Sequence, residues 1–433
     1  MTAAAPGITR APATMLPLSY LMAAAVAFLL ACAGAASLAG PLTAHYYQPR
    51  VVALAHTVTL GWISLSIMGA SYQLIPVVLE RTMWSERLGR WQLGMLLTGI
   101  AGMVTHFFIG RWPGLLMAAA MVALGAGMHL VNVAMTLRGL GRFSFTARLM
   151  TMGFAGFGLT ALFGLLLGAD RIWKFLPTAF FPTLHAHFHL ALLGWVAPMI
   201  MGVSARAYPM FLLAPEPDGW PAPAQLWGLA LGVPAVVGGL TAWPALVLPG
   251  AFAVSAAVVG HLTWVARMAR DRKRPRLDWG LRFVLTGGAF LFAGAALGLG
   301  LALDLFSGPR VAMAYTALAL GGWASLTIVG MMLKIVPFLV WYRVYSSRAG
   351  RAPVPTLAQL GWPAAEGLAY GLLTCGMAGL AAALAAGSAP LILAAGAVLA
   401  AGSLCFCTTL ARMLWHLAAC GQRPVPTMGA HTA

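Results

Sequence analysis

Stretches of apolar residues long enough to cross a bilayer recur along this chain, separated by short segments rich in Pro, Gly and charge. One crossing takes about 20 such residues. The pattern therefore predicts twelve helices, near 15–39, 51–79, 90–110, 112–138, 147–168, 180–213, 224–244, 247–270, 279–304, 311–343, 361–386 and 389–417. The alternation of a membrane barrel is absent, and in lipid each backbone amide must find its partner within its own segment, which selects the α-helix. Breaks such as Gln48-Pro49-Arg50, Arg111-Trp112-Pro113 and Pro215-Glu216-Pro217-Asp218-Gly219 mark chain reversals at the membrane surface. The expectation is an all-α polytopic membrane protein, with one membrane domain over 1–433.

Composition agrees, since a chain that is 61% hydrophobic and 8% charged has too little polar surface to face water. A net charge of +17 raises the question of nucleic acid, but the 26 basic residues are dispersed among loops instead of tracking phosphates along one face. The expected partner is the lipid bilayer, with no nucleic acid. Twenty basic residues fall on one side of the predicted spans: Arg10; Arg81, Arg87 and Arg90; Arg138, Arg142 and Arg148; Arg206; the run from Arg267 to Arg282; Arg343, Arg348 and Arg351; Arg412 and Arg423. Five (Arg50, Arg111, Arg171, Lys174, Arg310) fall on the other. Basic loops stay cytoplasmic, so both termini are expected there, in a bacterial-type inner membrane. The apolar stretch from Met15 reads as the first helix and not a cleaved leader. Cys32, Cys375, Cys405, Cys407 and Cys420 show no disulfide or zinc spacing and read as small core residues.

An internal repeat organises the spans. The second reads His56-x4-Gly61-Trp62-x6-Gly69-x6-Pro76, the sixth His189-x4-Gly194-Trp195-x6-Gly202-x6-Pro209, and the tenth Ala317-x4-Gly322-Trp323-x6-Gly330-x6-Pro337. The Gly-Trp pairs recur at nearly equal steps, each the length of one four-helix unit, and His129 and His261 echo the same step. Three arcs are therefore expected, about 15–138, 147–270 and 279–417, around a pseudo-threefold axis with spans two, six and ten innermost. The repeat glycines allow close approach of a helix or a flat macrocycle, and the tryptophans read as packing anchors.

Ionisable groups within such spans are the candidates for chemistry. His56, His187 and His189 lie at similar depth in the outer part of the membrane, and neutral imidazole ligates haem iron and copper well. Hydrogen bonding across helices is the simpler role for any one of them. His185 shares a face with His189, whereas His187 points nearly the opposite way. His185 is either a metal ligand or an interfacial side chain, and His106 either joins the cluster or packs. His129, His261 and His416 read as snorkelling towards the inner surface. Gln73, Arg206 and Lys334 occupy one repeat-equivalent position and either snorkel or line a polar vestibule.

At these residues the chain resembles subunit I of the haem-copper oxidases, especially the cbb-type oxidases and nitric oxide reductases, which also place twelve helices in three arcs. Arg50-x5-His56-Thr57 looks like the family's helix two, whose His is an axial ligand of low-spin haem b; His189-x12-Gly202-x6-Pro209 looks like its helix six, whose His binds copper. The family's His-x-His pair of helix ten is matched here by Tyr315 and Ala317, and residues 224–244 contain no His, which argues against a conventional proton-pumping oxygen reductase. His187-Phe188-His189-Leu-Ala-Leu-Leu-Gly-Trp resembles the helix-ten signature displaced onto span six. The resemblance implies that His56 and His189 clamp one haem b, while His187 faces another pocket with a second haem or a copper. The expected function is electron transfer or diatomic-gas (nitric oxide or oxygen) chemistry. Electrons would come from a quinol or a separate cytochrome, since no CxxCH is present, and additional membrane subunits are possible partners. The alternatives are a cofactor-free transporter or structural protein on the same scaffold, and a copper-handling protein using His185 and His189, with or without His106.

Overall fold

The computed structural model describes residues 14–79, 81–176 and 178–420. It contains twelve helices long and apolar enough to span a membrane: α1 Met15–Ser37, α2 Pro49–Pro76, α3 Glu86–Ile109, α4 Trp112–Leu137, α5 Phe145–Trp173, α6 Phe180–Leu212, α7 Pro221–Thr241, α8 Pro244–Arg270, α9 Trp279–Ala302, α10 Pro309–Arg348, α11 Pro363–Ala386 and α12 Ala389–Ala419. No strand occurs among the described residues. The protein is thus an all-α polytopic membrane protein, as the apolar runs predict. Arg10, Arg423 and both chain termini lie outside the described residues.

Successive helices pack on one another, α4 meets α5, α8 meets α9 and α12 returns to α1, so the three four-helix arcs close into a ring. Inside that ring α2, α6 and α10 touch one another. Their most apolar stretches are 56%, 72% and 83% buried, against 22% for α3 and 33% for both α5 and α9, which show their apolar side chains to lipid.

The repeat motif has a packing cause. In each inner helix both glycines lie against the first helix of the same arc. A Cβ on Gly61 would stand 2.9 Å from Ala27 of α1, and one on Gly69 2.7 Å from Tyr20. Gly194 crosses Gly156 of α5 backbone to backbone, and Gly330 crosses Gly280 of α9. The tryptophans behave as the anchors the sequence predicts: Trp62 stacks on Phe28 at 4.4 Å and Trp195 on Phe157 at 4.5 Å, both almost fully buried. Trp195 also reaches across the axis, its Nε1–H donating to Ser64 Oγ at 3.1 Å.

One feature was not legible in the motif. The stretches Thr57–Ser64, Leu190–Val196 and Ala317–Ser325 are π-helical, so that the Leu65 N–H, for example, bonds to the Leu60 carbonyl five residues back. All three contain the Gly-Trp pair. Such turns are rare and concentrate at functional sites.

Candidate functional site

His56 on α2, and His187 and His189 on α6, lie seven to nine residues inside the starts of their helices, about 10–14 Å along the axis at 1.5 Å per residue. The structure brings His56 together with His187. Their ring centres are 6.4 Å apart and their planes lie within 24° of parallel. His189 is the image of His56 under the pseudo-threefold rotation, and it faces the next wedge, where its ring centre is 6.2 Å from that of Tyr315 on α10, again at 24°. The rotation that carries α2 onto α6 also carries the α2–α6 wedge onto the α6–α10 wedge. Repeat-equivalent histidines therefore cannot share one wedge, and the expected pairing of His56 with His189 gives way to His56 with His187. In the third wedge the equivalent positions are Leu54 and Ala317, which join an aliphatic cluster with Met313, Ala383 and Leu384.

Each of the three imidazoles is oriented by a backbone carbonyl. His56 Nδ1–H donates to Val52 O at 2.9 Å, His187 Nδ1–H to Thr160 O at 3.0 Å and His189 Nδ1–H to His185 O at 2.8 Å. This fixes the tautomer and leaves each Nε2 lone pair free, the arrangement in which histidine ligates metals. Phe107 of α3 lies over His56, with ring centres 5.1 Å apart.

His56 and His187 line one cavity of about 1130 Å³, measured with its open mouth. Its floor is formed by Ser64, Trp195 and Leu320, and one wall is made by small residues: Ala161, Gly164 and Gly168 of α5 with Ala119, Ala123 and Ala126 of α4. A Cβ on Gly164 would fall 3.0 Å from His187 Cε1, a contact tight enough that the ring would have to shift by a few tenths of an ångström. At the mouth the Arg171 guanidinium is held by aromatic faces, 4.1 Å from the ring centre of Trp112, 5.5 Å from Tyr47 and 5.8 Å from Phe180. Its Nε is buried without a hydrogen-bond partner. Burial holds the Tyr47 phenol above its ordinary pKa, an effect that Arg171 opposes.

These residues fit a haem. Two imidazoles on opposite sides of one metal, with metal–nitrogen bonds of about 2 Å, have ring centres roughly 6 Å apart. The small residues along α4 and α5 leave room for a bulky apolar group, and the unpartnered Arg171 N–H at the mouth suits a carboxylate. Among the described residues no three His, Cys, Asp or Glu side chains converge. The donor set is a pair.

Of the other described histidines, His45, His129, His185, His261 and His416 are hydrogen-bonded, whereas His106 is not. His185 Nε2 shares a 2.9 Å hydrogen bond with the Tyr46 hydroxyl, so it has no free ligand atom on that side. His106 lies against Gly114 of α4, its Nδ1 buried and unpartnered. His129 and His261 do not snorkel; they are 0% and 4% exposed and bond through Nδ1 to Gln92 and Gln225 Oε1 at 3.3 and 3.1 Å. The two glutamines are separated by the same repeat step as the Gly-Trp pairs of spans two and six, so this His–Gln repeat could have been read from the sequence. His416 pairs with the Tyr345 hydroxyl at 2.7 Å.

At the opposite end of the bundle Gln73, Arg206 and Lys334 go separate ways. Gln73 is buried, Arg206 is exposed beside Glu216 at 3.8 Å, and Lys334 forms an ion pair with Asp278. None of them lines the cavity of about 620 Å³ where α2, α6 and α10 meet, which is walled by residues such as Ser66, Ile200 and Ile328.

The chain matches no protein-family model, and no curated protein is detectably similar to it.

Proposed function

We propose that this is a haem-binding membrane protein of electron-transfer or diatomic-gas chemistry, in which His56 and His187 would hold one haem b. The observation that carries the reading is the pair of near-parallel imidazoles 6.4 Å apart, each with Nδ1 tied to a carbonyl and both rings lining one shared cavity. The resemblance of the three-arc plan and of the His56 and His187-Phe188-His189 segments to oxidase subunit I supports it.

When bound, haem supplies a one-electron couple. The protein's part is to hold and shield it. The Val52 and Thr160 carbonyls keep both imidazoles in the ligating tautomer, and hydrogen bonds of this kind raise ligand basicity. Phe107 covers the His56 ring, Trp195 and Ser64 close the floor, and Arg171 at the mouth offers its free N–H to a propionate. In the orientation set by the basic loops this mouth faces away from the cytoplasm, and the electron donor is a quinol or a separate cytochrome.

The test is an oxidised and dithionite-reduced spectrum, with haem quantified as the pyridine haemochrome, on full-length protein purified from cells supplied with haem. A reduced α-band in the wild type that is lost in His56→Ala and His187→Ala is the expected result. A folded but colourless wild type, or unchanged haem in both variants, refutes the assignment. Copper without haem in metal analysis would select the copper-handling alternative, and neither cofactor would select the transporter.

A further inference from the structure

We infer that the inner cavity, where α2, α6 and α10 meet, is a binding site for a small neutral aromatic molecule carrying one hydroxyl, of the phenol class. The inference is independent of the haem. This cavity shares no residue with the one lined by His56 and His187, and it begins at Ser66, two residues below the Ser64 floor of that cavity.

The internal repeat builds its shape. Aligning the Gly-Trp pairs places Ile67, Ile200 and Ile328 at one position, and all three are in the wall. The position before them, Ser66, Met199 and Thr327, is in the wall from all three helices as well, and so are the positions three and four residues after the isoleucines. The cavity therefore lies on the pseudo-threefold axis, with about 620 Å³ of space counted with its open mouth. Apolar cavities inside proteins stay dry and take up molecules of the size of benzene.

The wall selects the ligand. Nothing in it is charged, so an ion would find no partner, and most of it is carbon, whereas a water needs two to four polar partners to stay. Three methionines, Met199, Met331 and Met332, stand beside the one ring in the wall, that of Tyr208. Thioether sulfur and aromatic edges both favour contact with a further ring. Of the three serines, Ser71 and Ser204 already donate to the carbonyls of Met68 and Met201 at 2.8 Å. The Ser66 hydroxyl is buried with no partner, which is costly in the membrane interior.

One staggered step about its χ1 torsion re-aims that hydroxyl, and a ligand bearing a hydroxyl then supplies the partner that the protein does not. The body of the ligand rests on isoleucine and methionine, and its polar end is read by α2 alone. A molecule seated here touches all three inner helices at once, so it stabilises the folded ring in proportion to its occupancy.

The experiment is photolabelling of the full-length protein in lipid nanodiscs with 4-azidophenol, read by peptide mass spectrometry, with phenol and toluene as competitors. Saturable labelling of peptides from α2, α6 and α10 is expected, displaced by both. In Ser66→Ala the ratio of phenol to toluene needed for displacement should rise about fivefold, the worth of one hydrogen bond, a comparison from which partitioning into lipid cancels. Ile200→Trp, which fills the cavity, should abolish the saturable labelling, and Ala70→Leu should do the same with a smaller intrusion if the tryptophan variant loses its helical circular dichroism. Haem content should be the same in all of these variants, so the outcome here and the outcome for the haem are separate. Labelling that rises linearly with probe over the lipid-facing helices, or that persists in a folded cavity-filling variant, overturns the site. An unchanged phenol-to-toluene ratio in Ser66→Ala overturns the assignment to a phenol.

Discussion

The crossing of α5 and α6 is the tightest contact between an inner helix and its arc, and replacing Gly156 with alanine tests it. The new methyl would be driven into the Gly194 carbonyl oxygen, a backbone atom with no rotamer by which to move aside. The helices must therefore separate until carbon and oxygen reach ordinary contact, roughly 1 Å further apart. Overpacking of this kind costs about 1–3 kcal/mol. The separation also stretches the 3.0 Å hydrogen bond from His187 Nδ1–H to Thr160 O, one turn along the same face of α5, and intramembrane hydrogen bonds average about 0.6 kcal/mol. The sum, about 1.6–3.6 kcal/mol, corresponds to a shift of roughly 15- to 400-fold in the folding equilibrium, at tenfold per 1.4 kcal/mol. Gly94→Ala on α3 is the control, because nothing lies within 4 Å of its added methyl and alanine is the better helix former. The assay is unfolding of the two variants in mixed micelles by increasing denaturing detergent, followed by helical circular dichroism. If Gly156→Ala unfolds with the wild type, then the repeat glycines are not there for close helix approach and the packing account of the motif is wrong.

Three further outcomes are expected. Ser64→Ala strips the acceptor from Trp195 Nε1–H, leaves a buried indole donor unpaired and should cost about 1 kcal/mol in the same unfolding assay. Asp278→Asn keeps the cap on the Leu281 N–H but leaves the Lys334 ammonium, whose side chain is only 14% exposed, without its countercharge; it should destabilise by about 3 kcal/mol, and the double variant with Lys334→Met should recover most of that loss. A double variant no more stable than Asp278→Asn would show that the pair is not the cause. Tyr47 is held neutral by burial, so its contribution is intact below the ordinary phenol pKa of about 10 and is lost as pH rises through its elevated value. Tyr47→Phe should therefore make the alkaline fall in stability shallower, and a profile steeper than that of the wild type contradicts this.

Legibility in the sequence divides along physical lines. The spans were legible because lipid imposes both length and apolarity, and the boundaries moved by only a few residues, as at α11, which begins at Pro363 where 361 was expected. The three arcs were legible because the inner helices repeat the residues that bring them against their own arc: Gly61, Gly194 and Gly322 with their tryptophans. The histidines stood out, and helical periodicity correctly set His187 and His189 on opposite faces. Which neighbour each face meets depends on the azimuth of α6 about the axis, and that is decided by contacts such as Gly156 on Gly194 that no periodicity encodes. Arg171 passed as one more basic loop residue. Its role at the cavity mouth follows from Tyr47, Trp112 and Phe180, which lie in three different parts of the chain.

The π-helical stretches carry a consequence for how this architecture tolerates change. A closure over five residues in place of four accommodates one extra residue, and one residue turns everything beyond it by about 100°. The histidine-bearing segment of α2 is thereby set out of phase with the half that carries Gly69 and Pro76. The two halves answer to different neighbours, one to a cavity and one to the arc. Length variation by a single residue within 57–64 would leave the lower half locked in place and swing His56 away from the cavity, so an insertion or deletion far smaller than a turn changes which side chains line that cavity. Three such stretches give the ring three independent dials.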